Sequence, residues 1–310
     1  MQNDMTPTPF MEGRATADAA QALRDELLYH RATQTYLWAL PLINTLGMQR
    51  GSEQTFGKGY NTLPVWKKRL DARTLVTTPN SDVIYAMSYV DLGKDGPLVF
   101  EAPPMLQGIL LDFWQRPIPV DGGKYAGDVG FFGPDQGKGG KFLLLPPGYT
   151  GEVPKGCFVY RSGTNNVFVF LRAFYADAGN LQPPVDLIEK AKIYPLQGEA
   201  RPMTFPDASG VPVDMLPISD ATAFDQLKQL VDAEGPHLAD PDWMGGNYYE
   251  HGQPERGLAV AEIENAVDRA EKLVQLVGRG PRELRDEGLF LAGAQLLLRL
   301  LEASLHPEPL

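Results

Sequence analysis

A chain of 310 residues with 39 acidic and 28 basic side chains carries a formal net charge of −11. That balance disfavours nucleic acid and anionic membrane surfaces as partners, because both attract clustered lysine and arginine. The hydrophobic fraction of 43% is close to the globular average of about 45–50%, so a buried core is expected and wholesale disorder is not.

Targeting and redox signals in the sequence are sparse. Cys157 is the single cysteine, so no intramolecular disulfide can form. No apolar run of signal-peptide length begins the chain, which predicts a cytoplasmic protein, or a periplasmic one if a signal peptide has been removed. The most apolar stretch, residues 288–298, is shorter than the ~20 residues that span a bilayer, so no membrane span is predicted.

The first part of the chain predicts a helix. Residues 1–15 form a leader, and Thr16 is a candidate N-cap. Apolar side chains then recur with helical spacing at Leu23, Leu27, Ala32 and Tyr36. We expect the helix to end near Leu40, since Pro41 breaks or kinks a helix. Residues 47–64 predict an irregular loop.

From Leu75 to Tyr175 the hydrophobic period changes to two, which indicates strands. Residues 82–91 are apolar on both faces and predict a central strand. Further strands, bounded by Gly, Pro or Asn, are predicted at 97–102, 106–114, 140–146, 157–161 and 166–175. No helices separate them, which favours an antiparallel β-sandwich or barrel. The predicted class is therefore α+β and β-rich, with a helix before the sandwich and helices after it.

The C-terminal third predicts a proline-rich connector at 183–220, helices at 221–234 and 258–277, and a tail helix at 283–305. We divide the chain into a leader (1–15), a helix and sandwich domain (16–200), a connector with helices (201–278) and an atypical apolar C-terminal helix (279–310). Exposed apolar area forfeits about 25 cal/mol per Å². We therefore expect residues 289–301 to dock on the β domain or on a second copy, with a homo-oligomer favoured.

Several phrases occur in an order that resembles a known family. Residues 77–104 contain a phrase built from Thr78, Pro79, Asn80, Asp82, Tyr85, Asp91, Leu92, Gly96 and Pro97. LLDFW (110–114), KFLLLPPGYTGEVPKG (141–156) and RSGTNNVFVFLRAF (161–174) follow. Together they resemble the domain-of-unknown-function 1254 family over roughly residues 25–200.

The resemblance implies a β-sandwich-like domain introduced by a helix, and it supplies no secure activity. Members of that family usually carry a second β domain of the 1214 type, which is not recognisable here. After Val277 the chain departs from the family pattern. A truncated or frame-shifted gene and a lineage-specific ending are both left open.

Two polar residues stand on apolar strand faces. Arg172 alternates with Phe168, Phe170 and Phe174, while Asp112 shares a face with Leu110 and Trp114. A buried guanidinium needs a partner, so an Asp112–Arg172 ion pair is the first expectation. Two solvent-facing residues, or a cluster that orients a carboxylate or amide ligand, are the alternatives.

The T-P-N-x-D phrase also has two interpretations. Asn80 and Asp82 can cap a turn with their side chains. Alternatively, Asn80, Asp82 and Tyr85 lie at the mouth of a site and offer an acceptor, a general base and a phenol. Arg161 and Asn165 would add donors from a neighbouring strand.

Two functions from different classes remain open. The first is a small-molecule hydrolase of carboxylate, ester or amide compounds that uses no cofactor. Its candidate catalytic residues are Asp82, Tyr85 and Asp112, and its candidate ligand-binding residues are Asn80, Trp114, Arg161, Asn165 and Arg172. The second is a non-catalytic binding or oligomeric assembly module. A deep pocket lined by the acid–base and arginine residues favours the hydrolase, whereas a solid core with an exposed aromatic patch favours the module.

Metal chemistry is not predicted. The four histidines, His30, His237, His251 and His306, are dispersed, and transition-metal sites need clustered imidazole and thiolate ligands. The glycine-rich residues 122–140 lack the strand-to-helix pattern of a phosphate loop. They predict a long hairpin loop that covers a site.

Overall fold

The computed structural model describes residues 10–11, 14–220 and 222–234. The helices are α1 (Ala17–Phe56), α2 (Leu92–Asp95), α3 (Gln182–Ile188) and α4 (Thr222–Glu234). The strands are β1 (Phe10–Met11), β2 (Arg14–Ala15), β3 (Thr74–Leu75), β4 (Val83–Asp91), β5 (Leu98–Ala102), β6 (Gln107–Asp112), β7 (Asp128–Val129), β8 (Gly140–Leu145), β9 (Phe158–Arg161), β10 (Asn166–Phe174), β11 (Lys192–Pro195) and β12 (Val213–Asp214). The helices predicted at 258–277 and 283–305, and the docking of 289–301, lie outside the described residues.

The chain forms two compact units. Residues up to 39 and residues 219–229 contribute to the first unit, and residues 40–218 form most of the second. In the first unit, Ala32 and Tyr36 of α1 pack on Phe224 of α4, with the two ring centroids 6.3 Å apart. No helix among the described segments is long and apolar enough to cross a membrane.

The second unit is a β-sandwich, which confirms the predicted α+β, β-rich class. One sheet has the strand order β4-β10-β6-β7 and is antiparallel throughout. The central position predicted for residues 82–91 is wrong, because β4 is at the edge of this sheet although both of its faces are buried. The other has the order β11-β5-β8-β9. The inward faces of both sheets supply one continuous apolar core that includes Ile84, Leu98, Phe100, Leu110, Phe142, Leu144, Val169 and Leu171. The period-two pattern of the sequence therefore specifies which residues face this core.

The predicted end of the first helix is wrong. α1 runs through Pro41 to Phe56, although proline removes one backbone donor from a helix. Three apolar side chains beyond the proline are buried: Leu42, Ile43 and Met48. Burying each such side chain stabilises the fold by about 1.5–3 kcal/mol. This gain offsets the lost hydrogen bond. The irregular loop predicted from residue 47 begins only after Phe56.

Two glycines in α1 allow another segment to approach the helix backbone. A Cβ atom on Gly51 would collide with the carbonyl oxygen of Asp214, and one on Gly47 would collide with that of Leu216. Residues 214–216 therefore lie directly against the helix. Glycine in this part of the sequence marks close packing of two backbones and not a loop.

Two strand pairs depart from the antiparallel expectation. The short strands β3 and β12 are parallel. β8 and β9 are also parallel, and residues 146–157 connect them without a helix. The connection is long enough to return the chain to the same end of the sheet, which is the requirement for parallel pairing. The predicted connector also contains α3, β11 and β12, and β11 extends the second sheet by pairing with β5.

Candidate functional site

The predicted catalytic residues do not converge. In the register of the first sheet, Arg172 pairs with Tyr85 and Gln107, whereas Asp112 pairs with Val167. The five residues that separate positions 167 and 172 correspond to about 17 Å at roughly 3.3 Å per residue. Asp112 therefore lies at one end of the sheet, and Tyr85 lies towards the other end.

Asp112 is tied into the turn that follows β6. Its Oδ2 accepts a hydrogen bond from Nε of Arg116 at 2.6 Å, and its Oδ1 accepts from the backbone N–H groups of Trp114 and Arg116 at 2.9 and 3.0 Å. Burial raises the pKa of the Asp112 carboxyl, and the bonds to Arg116 and Trp114 oppose that rise. The predicted Asp112–Arg172 ion pair is wrong, because Arg116 supplies the guanidinium from four residues away. Trp114 is fully buried.

Asn80 and Asp82 form a turn at the start of β4. Oδ1 of Asn80 accepts a hydrogen bond from the backbone N–H of Asp82 at 2.6 Å, which is an Asx turn. The Asp82 side chain is 81% exposed, and its carboxylate lies 3.7 Å from the Arg69 guanidinium. This geometry matches the turn interpretation of the phrase.

Arg161 and Asn165 lie away from Arg172 as well. Nε of Arg161, in the second sheet, donates to Asp121 at 3.0 Å. The Asn165 side chain lies against Gly93. The backbone carbonyl oxygen of Asn165 accepts from the backbone N–H of Leu92 at 2.8 Å. Both residues belong to local structure around the far end of β10.

Aromatic side chains form a ladder on the outer face of the first sheet. Tyr89 stacks on Phe168, with ring centroids 4.9 Å apart, and Tyr85 stacks on Phe170 at 5.2 Å. Exposure increases along β10: Phe168 is 4% exposed and Phe174 is 62% exposed. The ladder is therefore covered at one end and open at the other.

Arg172 lies at the open end of this ladder. Its side chain is exposed, and no carboxylate of the described residues comes within 4 Å of its guanidinium nitrogens. Asp128 on β7 interacts electrostatically with Arg172: burial raises the pKa of Asp128, and Arg172 lowers it. Burial also raises the pKa of Tyr85, again opposed by Arg172. An arginine on an aromatic surface is thus left with unused donors.

An ordered loop beside Arg172 presents two more aromatic rings. Oδ1 and Oδ2 of Asp135, which is buried, accept from the backbone N–H groups of Gly130 and Gly139 at 2.8 and 3.1 Å. Oε1 of Gln107, the cross-strand neighbour of Arg172, accepts from the backbone N–H of Phe131 at 3.0 Å. The exposed apolar side chains in this region are Met105, Phe131 and Phe132.

Sequence reasoning placed a loop at 122–140 but did not single out these phenylalanines. Phe131 and Phe132 are adjacent in a glycine-rich segment, and an apolar pair in a loop is the signal that could have identified them. We call Met105, Phe131, Phe132, Arg172 and Phe174 the open aromatic face. No group of three or more His, Cys, Asp or Glu side chains in the described part of the chain is arranged to hold a metal ion.

Comparison with known proteins confirms the resemblance drawn from the sequence. Residues 60–195 match the model of the family described as Protein of unknown function (DUF1254). A search of curated proteins gave no match.

Two solved structures are similar over most of this chain. The VPA0106 protein from Vibrio parahaemolyticus is 15% identical with a TM-score of 0.46, over 81% of this chain and 58% of that one. An uncharacterised protein from Burkholderia cenocepacia is 10% identical with a TM-score of 0.26, over 83% of this chain and 57% of that one. The chain thus spans little more than half the length of these structural relatives.

Proposed function

We propose that this chain, whose residues 60–195 match the DUF1254 family, is a non-catalytic binding module that takes an organic carboxylate at its open aromatic face. The observation that carries the proposal is Arg172, exposed between aromatic side chains with no described acid within ion-pair distance. Phe174 on the same strand face is 62% exposed.

The chemistry of the face suits a ligand with a charged head and an apolar body. A guanidinium presents parallel N–H donors that match a carboxylate and form charge-assisted hydrogen bonds. Phe174 and the rings of the 131–132 pair provide apolar area for the rest of the ligand. Because Asp135 and Gln107 hold the loop in place, little conformational entropy is lost on binding.

The hydrolase receives less support from the same geometry. Asp82 is exposed beside Arg69. Asp112 lies about 17 Å from Arg172 along the sheet, and hydrogen bonds engage both of its carboxylate oxygens. A general base must reach its substrate within hydrogen-bond distance, and these acids do not share a site with Arg172. The packed sandwich core and the exposed aromatic patch are the combination expected of a binding module.

Replacing Arg172 with glutamine should weaken benzoate binding by roughly 10- to 100-fold, because hydrogen bonds to charged groups contribute about 1.5–3 kcal/mol. Isothermal titration of the full chain with benzoate measures the change. Arg73→Gln is the matched control, since Arg73 is also exposed but already pairs with Asp71 at 3.1 Å. This variant should bind benzoate with the wild-type affinity. Equal affinity in the Arg172 variant and the wild type would remove the basis of the proposal.

Benzoate affinity should also depend on the charge of Asp128. The pKa of Asp128 is raised by burial, so lowering the pH protonates it earlier than an ordinary aspartate. Protonation removes a negative charge near Arg172, and binding should tighten as long as benzoate itself stays ionised. Asp128→Asn should bind more tightly at neutral pH and lose this part of the pH dependence. Titrations at several pH values test this, and a weaker Asp128→Asn complex would contradict it.

A further inference from the structure

Tyr85 lies beside Arg172 on the outer face of the first sheet. The two residues are directly opposite each other in the register of β4 and β10, and the Cβ atoms of such a pair lie about 5 Å apart on the same face of a sheet. The Tyr85 ring stacks on Phe170, with the centroids 5.2 Å apart and the planes 15° apart. Stacking on one side therefore holds the ring next to the arginine.

The Tyr85 hydroxyl is a donor that has no acceptor. Only 7% of the residue is exposed, and the hydroxyl has no hydrogen-bond partner in the part of the chain that the structure describes. Unlike the enclosed hydroxyl of Tyr89, it keeps contact with solvent, so a ligand can reach it. Burial raises the pKa of Tyr85, which Arg172 opposes and Asp82 reinforces. The group remains a neutral phenol that can donate one hydrogen bond.

The charges around this pair of side chains favour one kind of ligand. A guanidinium matches a carboxylate, which leaves the Tyr85 hydroxyl for a second acceptor on the same ligand. Asp82 interacts electrostatically with Tyr85, and Asp128 does so with Arg172. These two acids would repel a second carboxylate. A carbonyl oxygen accepts a hydrogen bond from the phenol without adding negative charge, so a neutral acceptor suits the position of Tyr85 better than a charged one.

We propose that Tyr85 determines the specificity of the open aromatic face and that the preferred ligand is an apolar 2-oxo acid. This inference rests on the proposed binding of a carboxylate at Arg172. The carboxylate of the ligand binds the guanidinium, and the keto oxygen on the adjacent carbon accepts from the Tyr85 hydroxyl. The apolar body lies on Phe174 and the 131–132 pair. Two acceptors on neighbouring carbons suit two donors on directly opposed residues.

Phenylglyoxylate and phenylacetate are the probes for this proposal. Both carry a phenyl ring and a carboxylate, and they differ in having a carbonyl or a CH₂ group between the two. In isothermal titration of the full chain, phenylglyoxylate should bind roughly 3- to 10-fold more tightly than phenylacetate, the contribution of one hydrogen bond. Tyr85→Phe keeps the stacked ring, so it should abolish this preference and leave the affinity for phenylacetate unchanged.

Tyr89→Phe is the matched control. Tyr89 also lies on β4 and stacks on a phenylalanine of β10, with the ring centroids 4.9 Å apart, but its hydroxyl is enclosed. This variant should keep the wild-type preference for phenylglyoxylate.

Two outcomes would overturn the role of Tyr85. Equal affinity of the wild type for the two probes would do so without any variant, and so would a preference that persists in Tyr85→Phe. Arg172→Gln separates this failure from that of the proposed function. If Arg172→Gln weakens the binding of both probes while Tyr85→Phe retains the preference, the carboxylate site stands and only the 2-oxo acid specificity is wrong. If Arg172→Gln binds both probes as tightly as the wild type, both proposals are wrong.

Discussion

Replacing Asp112 with alanine should lower the free energy of unfolding by about 3–5 kcal/mol, the loss typical of removing one partner from a buried ion pair. The substitution removes the carboxylate that accepts from Nε of Arg116 and from the backbone N–H groups of Trp114 and Arg116. A buried donor that loses its acceptor destabilises the folded state by its full desolvation penalty. Urea denaturation followed by fluorescence measures the change.

Asp121→Ala is the matched control for this experiment. Asp121 also pairs with an arginine, Arg161, at 3.0 Å, but both side chains are about half exposed. Exposed pairs contribute about 0–1 kcal/mol, so this variant should be nearly as stable as the wild type. If Asp112→Ala were equally mild, the structural role assigned to Asp112 would be wrong and a role in a site would become the better explanation.

Replacing Gly51 with alanine should destabilise the protein by about 1–3 kcal/mol, as expected for overpacking. In an exposed helix interior the same change is stabilising by about 1 kcal/mol, because alanine has the higher helix propensity. Here the added methyl group would collide with the carbonyl oxygen of Asp214. A backbone atom cannot move aside as easily as the end of a side chain.

The control for Gly51→Ala lies one turn further along α1. Gln54 is exposed, so Gln54→Ala changes helix propensity without adding a contact and should alter stability by only a few tenths of a kcal/mol. Thermal unfolding of the two variants compares them directly. A stabilised Gly51→Ala would show that residues 214–216 do not pack on the helix.

The strands could be predicted because each is half-buried or fully buried with a period of two, a pattern carried by neighbouring residues. The end of α1 could not, because Pro41 and Gly51 are local helix breakers whose cost is offset by tertiary contacts.

The ligand-binding residues were predicted only in part. Alternation along β10 placed Arg172 on the aromatic face, but it contains no information about which end of that face is covered. The predicted Asp112–Arg172 ion pair was wrong because assigning two residues to faces of a sheet does not give the distance between them along the strands. Arg116 reaches Asp112 across a tight turn in which Gln115 adopts a positive φ of 60°, and no strand pattern reveals such a turn.

The most direct test of the central claim is the NMR signal of the Arg172 side chain during titration of the full chain with benzoate. If the carboxylate binds the guanidinium, the Nε–H resonance of Arg172 should move progressively and saturate, while that of Arg73 should not change. An Arg172 resonance that stays in place, whether or not benzoate binds elsewhere, would contradict the account.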